Sequence, residues 1–429
     1  MAFSSGIFIH SIVLILLCHR WADGLKSNDR KLIVVSFDAF KPIYLEEKIT
    51  TFFKTFYKDG IRAIHMKNSF PTKTFVNHFS IATGLYPQNH GVTGNEVYDL
   101  EKNQFYKYSY ELFHYNESVI PIWRLNEDQG GRTGVMMWPG GDFAYQGKKC
   151  NFTKSLDKNM KEEDRIDVIM KWFKEGANFV MFYIEQPDEE GHAYSPDSTQ
   201  ELNMVKKLDA IVVYLEQSLI INGLDDNTDI IILSDHGMLT VTTNNFIDLY
   251  AFIDKNQCKM YGSSPVLQVV CADGKYEEAC NNLTIASRSE HMAGKFNAFI
   301  NEQLLERWHV KNTKRFGPCT VVAEPEYAFQ DMFEFAEWFH LEKGVPISLN
   351  APYGVHGYDN DVPSMQPIFL AKGPSFNAGI TINDEFSNID LYYLFCKLLQ
   401  IKCISIDGKD RQDVWQKMLK DVSINEIQK

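Results

Sequence analysis

No run of apolar residues in this 429-residue chain is long enough to cross a bilayer, and no cysteine pair has the CxxC spacing of a structural zinc site. Basic residues are also in deficit. With 43 Lys and Arg against 56 Asp and Glu, the formal net charge is -13, which excludes polymeric nucleic acid bound along a broad basic surface. Internal repeats and low-complexity linkers are missing too, so a solenoid or a string of flexible modules is excluded. What remains is an ordinary globular composition, 45% hydrophobic and 23% charged, at a length suited to one large α/β domain or two domains.

The one apolar stretch near the start, Ile7 to Cys18, is broken by His10 and Ser11 and followed by the small residues Ala22 and Gly24. It reads as an export leader over residues 1–24, with a secreted extracellular product and a working domain over 28–425. The polar tail from Asp407 onward lacks the hydrophobic end of a lipid-anchor signal, so no transmembrane anchor is expected. Sequons at Asn116, Asn151 and Asn282 fit an exported chain. Without the leader the cysteine number is odd. Cys258, Cys280, Cys396 and Cys403 are read as disulfide formers, the last two as a local staple, and Cys150 as the unpaired thiol.

Three apolar runs end in aspartate: KLIVVSF before Asp38, FVMFYIEQP before Asp188 and DIIILS before Asp235. Such runs are buried strands, and their carboxyl ends are where an open α/β sheet presents functional groups. Strands at Leu32–Phe37, Ala63–Met66, Thr133–Met137, Phe179–Ile184 and Asp229–Leu233 alternate with helical patterns, most clearly over Gln200–Ile220. The alternation predicts an α/β fold with a mostly parallel central sheet and helices on both faces. From about residue 250 to 330 shorter strands and four cysteines mark a small inserted subdomain. The aromatic stretch FEFAEWFHLEKGV reads as a buried helix.

His192 follows Asp188 by four residues, His236 follows Asp235 directly, and His356 stands in GVHGYDN. Three Asp and three His form the ligand inventory of a two-metal hydrolase. Each alone is ordinarily a turn residue or a hydrogen-bonded imidazole. The segment NSFPTKTFVNHFSIATGLYP adds a hydroxyl, Thr74, at a probable helix start, where free backbone N–H groups suit an incoming phosphate. Read by itself, Thr74 is a helix cap; beside metals it is a nucleophile.

FPTKTF with Asn77 and His78, ATGLYPQNHG, Asn95 within GNEVYD, QPDEEGHAYSP, SDHGM and HGYDN together resemble the nucleotide pyrophosphatase/phosphodiesterases of the alkaline phosphatase superfamily. The motifs run in family order from Phe37 to about Leu399, closest to members having only the catalytic domain. The resemblance implies an alkaline-phosphatase-like fold and two zinc ions, one on Asp188, His192 and His356, the other on Asp38, Thr74, Asp235 and His236. It further implies that Thr74 forms a phosphothreonine intermediate, that Asn95 binds a phosphate oxygen, and that Phe75 stacks on a base. Tyr194 lies beside the metal motif as a further substrate contact. Departures are Ala39, Lys41 and Pro42 after Asp38, Val76 after Phe75, and Gln186 before Pro187. The region Cys150–Met160, where relatives often supply a base-sandwiching tyrosine, offers only Phe152 or Leu156.

The function so implied is an extracellular zinc phosphodiesterase/pyrophosphatase that releases nucleoside monophosphates from ATP, ADP, NAD or dinucleoside polyphosphates. The alternatives are a choline-phosphodiester or lysophospholipid hydrolase on the same two-metal site, and a non-catalytic secreted binding protein. Phe75 and the lack of an acyl-binding segment favour nucleotides.

Overall fold

Apolar runs that are buried at every position need cover on both faces, and that requirement organises the molecule. The computed structural model describes residues 30–420, apart from 47 and 312. The leader expected over residues 1–24 lies outside the described residues. Eight strands form the central sheet: β1 (Lys31–Phe37), β2 (Ile61–Ala63), β3 (Thr133–Met136), β4 (Phe152–Lys154), β5 (Phe179–Ile184), β6 (Thr228–Leu233), β7 (Phe369–Lys372) and β8 (Ile380–Ile382). Their order is β8-β2-β7-β6-β1-β5-β3-β4. Only β7 is reversed, running antiparallel to both β6 and β2. β1 lies at the centre, parallel to β5 on one side and β6 on the other. The carboxyl ends of these three neighbours therefore emerge together, and they are the ends that carry Asp38, Asp188 and Asp235.

The helices used below are α1 (Thr74–Thr83), α2 (Glu162–Lys174), α3 (Asp188–Tyr194), α4 (Thr199–Ile221), α5 (Asp331–Lys343) and α6 (Leu391–Leu399). α4 begins where Ser198 accepts a hydrogen bond from the Glu201 N–H at 3.1 Å, a side-chain cap that stabilises the first turn. Its apolar positions Val205, Leu208, Val212, Leu215 and Leu219 are buried, as the three- and four-residue spacing predicts. Among the described residues no helix is long and apolar enough to cross a membrane.

Between β6 and β7 the chain builds a second, antiparallel sheet of four strands, in the order Cys258–Ser263, Val266–Cys271, Cys319–Ala323, Phe296–Ile300. Its own apolar cluster includes Leu267, Val269, Leu283, Val321 and Phe329. Cys258 bonds Cys271 across the first hairpin, Cys280 bonds Cys319, and Cys396 bonds Cys403; Cys150 is unpaired. Cys271 and Cys319 thus join the four cysteines read from the sequence, because strand register decides which sulfurs meet. α5 also departs from expectation. Met332, Ala336 and Phe339 are buried, but Phe333, Phe335 and Trp338 face solvent, so the helix is buried along one face only.

The four-stranded sheet region is tied to the part built on the central sheet by Arg315, which is fully buried. Its guanidinium donates to Asp99 Oδ2 at 3.0 Å, to Leu112 O and Glu111 O at 2.7 Å each, and to Gly91 O at 3.2 Å. Removing one partner of a buried pair strands the other. Arg315→Ala should destabilise the fold by about 3–5 kcal/mol, read as a lowered denaturation midpoint. An unchanged midpoint would show that the two halves hold together without this residue.

Candidate active site

Asp38 follows β1 and enters a turn in which Ala39 has φ 57°, the left-handed region that favours glycine. That turn is held by Asp235, whose Oδ1 accepts from the Ala39 N–H at 3.1 Å and from the His236 N–H at 2.9 Å. Asp188 and His192 share the short helix α3 at positions i and i+4, so both side chains leave one face. His356 arrives from the subdomain side. The strand before it, Pro352–Val355, pairs antiparallel with Leu239–Thr242, and this register lays the His356 ring on His236 at 3.7 Å.

The six residues converge. His236 Nε2 stands 3.0 Å from Asp235 Oδ2, 3.4 Å from Asp38 Oδ1 and 3.3 Å from Thr74 Oγ1. Asp188 Oδ1 stands 3.4 Å from His192 Nε2 and 3.5 Å from His356 Nε2. Asp188, His192 and His356 make one group able to hold a metal ion, and Asp38, Asp188 and His236 make another, so Asp188 belongs to both. The sequence had placed Asp188 in the first group alone.

Donor chemistry decides what such a centre holds. Each histidine spends its Nδ1 on a backbone carbonyl: His192 on Gly354 O at 2.8 Å, His236 on Gly237 O at 2.9 Å, and His356 on Thr72 O at 2.9 Å. Their Nε2 lone pairs then face carboxylate oxygens, lone pair against lone pair, which is unfavourable without a cation between them. Asp38 Oδ1, Asp188 Oδ1 and Asp235 Oδ2 are buried and have no hydrogen-bond partner. Buried charged oxygens cost too much to leave unpaired. Oxygen and imidazole donors whose second nitrogens are fixed by carbonyls fit zinc and its oriented outer shell.

The electrostatics carry the same message. Burial, with Asp235 and Asp188 adding to it, pushes the Asp38 carboxyl well above its ordinary range. Burial also works against ionised Asp235, but positive charge beside it, which His236 and His78 carry in their protonated forms, outweighs it and brings that carboxyl down to about 2. Burial, reinforced by His236 and Lys73, holds the His356 imidazolium form off well below the ordinary histidine range.

Thr74 is the first helical residue of α1 and is not its cap; Lys73 holds that place, and its side chain makes no capping hydrogen bond to the helix. The start of the helix adjoins the candidate metal-binding groups, Thr74 Oγ1 lying 3.3 Å from His236 Nε2. Asn95 Oδ1 accepts from the Phe75 N–H at 2.9 Å, which leaves the amide NH2 of Asn95 as its free end. Lys73 is buried and donates to Ser264 O at 2.6 Å; burial lowers its ammonium to about 8 while Asp331 opposes the shift. A side chain at Gly357, φ 119°, would meet Lys73 Cε at 2.5 Å, so the glycine of HGYDN makes room for that lysine.

Phe75 is half-buried beside Thr74, with Tyr108 edge-on at 5.3 Å and Phe113 at 5.8 Å. Tyr108, outside the region Cys150–Met160, is the tyrosine whose ring meets Phe75; its hydroxyl donates to Asp142 at 2.5 Å. Phe152 is engaged elsewhere, stacked on Trp172 at 5.8 Å with Arg132 over its ring, and Leu156 is exposed. Tyr194 is half-buried with its hydroxyl 3.5 Å from Lys343 O on α5. Asn151 and Asn282 are exposed, whereas Asn116 is half-buried and its amide nitrogen donates to Asn89 O at 3.0 Å.

Two supporting residues escaped the sequence reading. Tyr183 donates to Asp38 Oδ2 at 2.5 Å, and His78, hydrogen-bonded to Thr74 O at 2.8 Å, has Nδ1 3.4 Å from Asp235 Oδ2. Both were visible as residue types inside named motifs. The partner of Tyr183 depends on the β1/β5 register, which pairs Ser36 with Tyr183, and that of His78 on where α1 lies against the end of β6.

The family model described as type I phosphodiesterase / nucleotide pyrophosphatase matches residues 32–359. Human ectonucleotide pyrophosphatase/phosphodiesterase family member 5 is 31% identical over 414 residues, covering 94% of this chain and 82% of its own. The bis(5'-adenosyl)-triphosphatase of Xenopus laevis is 31% identical over 407 residues, covering 92% and 83%. Among solved structures, an inactive threonine-to-alanine variant of murine ectonucleotide pyrophosphatase/phosphodiesterase 5, in complex with AMP, superposes with a TM-score of 0.81 at 30% identity, over 91% of this chain and all of that one.

Proposed function

Because the chain belongs to the type I phosphodiesterase / nucleotide pyrophosphatase family and is a hydrolase of that class, we propose that it is a secreted enzyme that hydrolyses nucleotide pyrophosphate or phosphodiester bonds and releases a nucleoside monophosphate. A dinucleoside triphosphate is the leading substrate, in line with the relative named for that activity and the relative solved with AMP. The observation that carries the proposal is the nest of three partnerless buried carboxylate oxygens facing three Nε2 atoms and one threonine hydroxyl.

Asp188, His192 and His356 would hold one zinc ion, and Asp38, Asp235, His236 and Thr74 the other, with Asp188 in reach of both. Bound zinc would supply positive charge that eases ionisation of the Thr74 hydroxyl and stabilises the departing oxygen. Thr74 Oγ1 forms a bond to phosphorus as the bond to the leaving oxygen breaks, giving a phosphothreonyl ester. Water then cleaves that ester and restores the hydroxyl. The Thr74 N–H at the start of α1 and the amide NH2 of Asn95 would bind a nonbridging oxygen throughout.

Phe75, with Tyr108 beside it, offers a face to a base. A nitrophenyl nucleotide ester should be cleaved faster than nitrophenyl phosphocholine. Phe75→Ala should raise KM for the nucleotide ester by the equivalent of about 1–3 kcal/mol and leave the choline ester unaffected. Faster turnover of the choline ester by the unmodified enzyme would overturn the nucleotide reading in favour of a lipid-type diester.

A further inference from the structure

Behind the metal-binding groups lies a carboxyl group that the chemistry above does not use. Glu201, in the first turn of α4, is fully buried. Its Oε1 meets the hydroxyl of Tyr44, which belongs to the 3-10 segment Pro42–Leu45 a few residues after Asp38. The same hydroxyl lies 2.6 Å from Pro196 O, in the loop that follows His192. Glu201 Oε2 has no hydrogen-bond partner. A Cβ on Gly191, the residue before His192, would stand 3.0 Å from that oxygen, so the carboxyl lies directly against the backbone of α3.

Counting protons settles how these groups are bonded. A phenol has one hydrogen, yet Tyr44 faces two acceptors. Both contacts are hydrogen bonds only if Tyr44 donates to Pro196 O and accepts from Glu201. Glu201 must then carry a proton on Oε1, and Oε2 becomes a neutral carbonyl oxygen, far cheaper to bury without a donor than a charged one.

We propose that Glu201 is a positioning residue: as a neutral acid it donates to Tyr44, Tyr44 donates to Pro196 O, and the relay fastens the segment behind Asp38 to the helix carrying Asp188 and His192. The relay sets the spacing between ligands that come from different strands. A second tie runs parallel to it, from Lys41 Nζ to Asp197 Oδ1 at 3.2 Å. The charged and titratable groups around Glu201 are Tyr44 and Lys41 from the segment after Asp38, Asp188 on α3, and Asp197 in the loop. Burial leads in pushing the Glu201 carboxyl up to about 8, Tyr44 and Lys41 pull against it, and Asp188 and Asp197 add to it. The effect on catalysis rests on the phosphodiesterase reading; the proton on Glu201 does not.

Glu201→Gln, Glu201→Ala and Tyr44→Phe test the relay in the full chain loaded with zinc. An infrared difference spectrum of wild type against Glu201→Gln should show a protonated-carboxylic-acid band in the wild type alone. Gln can donate to Tyr44 from its amide, so Glu201→Gln should keep kcat and zinc affinity within about twofold and extend activity further into alkaline pH. Glu201→Ala and Tyr44→Phe should each weaken zinc binding by about 10- to 100-fold.

Stability follows the same proton. A pKa raised from 4.5 to about 8 means that the stabilisation by protonated Glu201 is complete below 4.5 and lost as pH rises through about 8. The melting temperature of Glu201→Gln should therefore exceed that of wild type by a gap that opens between those two values. This measurement serves even if the alanine variant does not fold. No acid band in the wild type, or a Gln variant as impaired as the Ala variant, overturns the proposal. An acid band in a protein that hydrolyses no nucleotide ester would instead count against the phosphodiesterase reading and leave the relay standing.

Discussion

Thr74→Ala should abolish hydrolysis, lowering kcat on the order of 10⁴- to 10⁶-fold, because no other hydroxyl among the described residues is hydrogen-bonded to a metal-binding histidine from the amino end of a helix. The loss is chemical, not structural. Thr74 Oγ1 touches His236 at 3.3 Å, and the helix it begins is held by Asn77, whose amide bonds Ser69, Pro71 and Lys73 independently of Thr74. Thr74→Ala should therefore melt close to wild type and still bind nucleoside monophosphate. Thr74→Ser, which restores the hydroxyl, should recover part of the rate. Rapid quench with a labelled substrate should trap label on wild-type protein and none on the alanine variant. Hydrolysis surviving in the alanine variant would remove Thr74 from the mechanism and leave water as the direct attacker.

The second large effect concerns Asp188, the carboxylate within reach of both metal-binding groups. Asp188→Ala should empty both, with zinc content by elemental analysis falling toward zero and kcat/KM dropping by about 10³-fold or more. His192→Ala should lower occupancy of one group only, since His192 reaches Asp188 and stands beside His356 and has no contact with Asp38 or Asp235. The stoichiometry separates the two outcomes. If Asp188→Ala lost no more metal than His192→Ala, the shared position of Asp188 would be a close approach without a role in the second group.

Much of this arrangement is legible in the residues, and the reasons differ by element. β1, β5 and β6 announce themselves as unbroken apolar runs because they are buried on both faces. β7 and β8, FLAK and ITI, are too short for any periodicity to register, so the reversed strand was not foreseen. The expected strand at Ala63–Met66 divides in two: β2 ends at Ala63, and Met66–Lys67 pairs instead with Phe386–Ser387, more than three hundred residues away. The six residues of the candidate metal centre were legible because metal chemistry restricts residue type and each sits at a strand end or in a short motif. Their neighbours were not, since the contacts of Tyr183 with Asp38 and of Glu201 with Tyr44 depend on which strands and loops come together. Disulfide partners are hidden for the same reason, and the aromatic residues of α5 lie on both of its faces, so composition alone did not divide buried from exposed.

The left-handed turn at Ala39 gives Asp235 a second task. An alanine held there sits about 1–2 kcal/mol above the conformation it would otherwise choose, and the Asp235 oxygen gripping its N–H is one restraint that keeps it in place. Asp235 thus works as a catch: with its oxygen removed, the turn would be freer to relax, and Asp38 is the residue that adjoins it. Removing the Asp235 carboxyl should therefore disturb the placement of Asp38 through the main chain, even where the two carboxyl groups never exchange a proton.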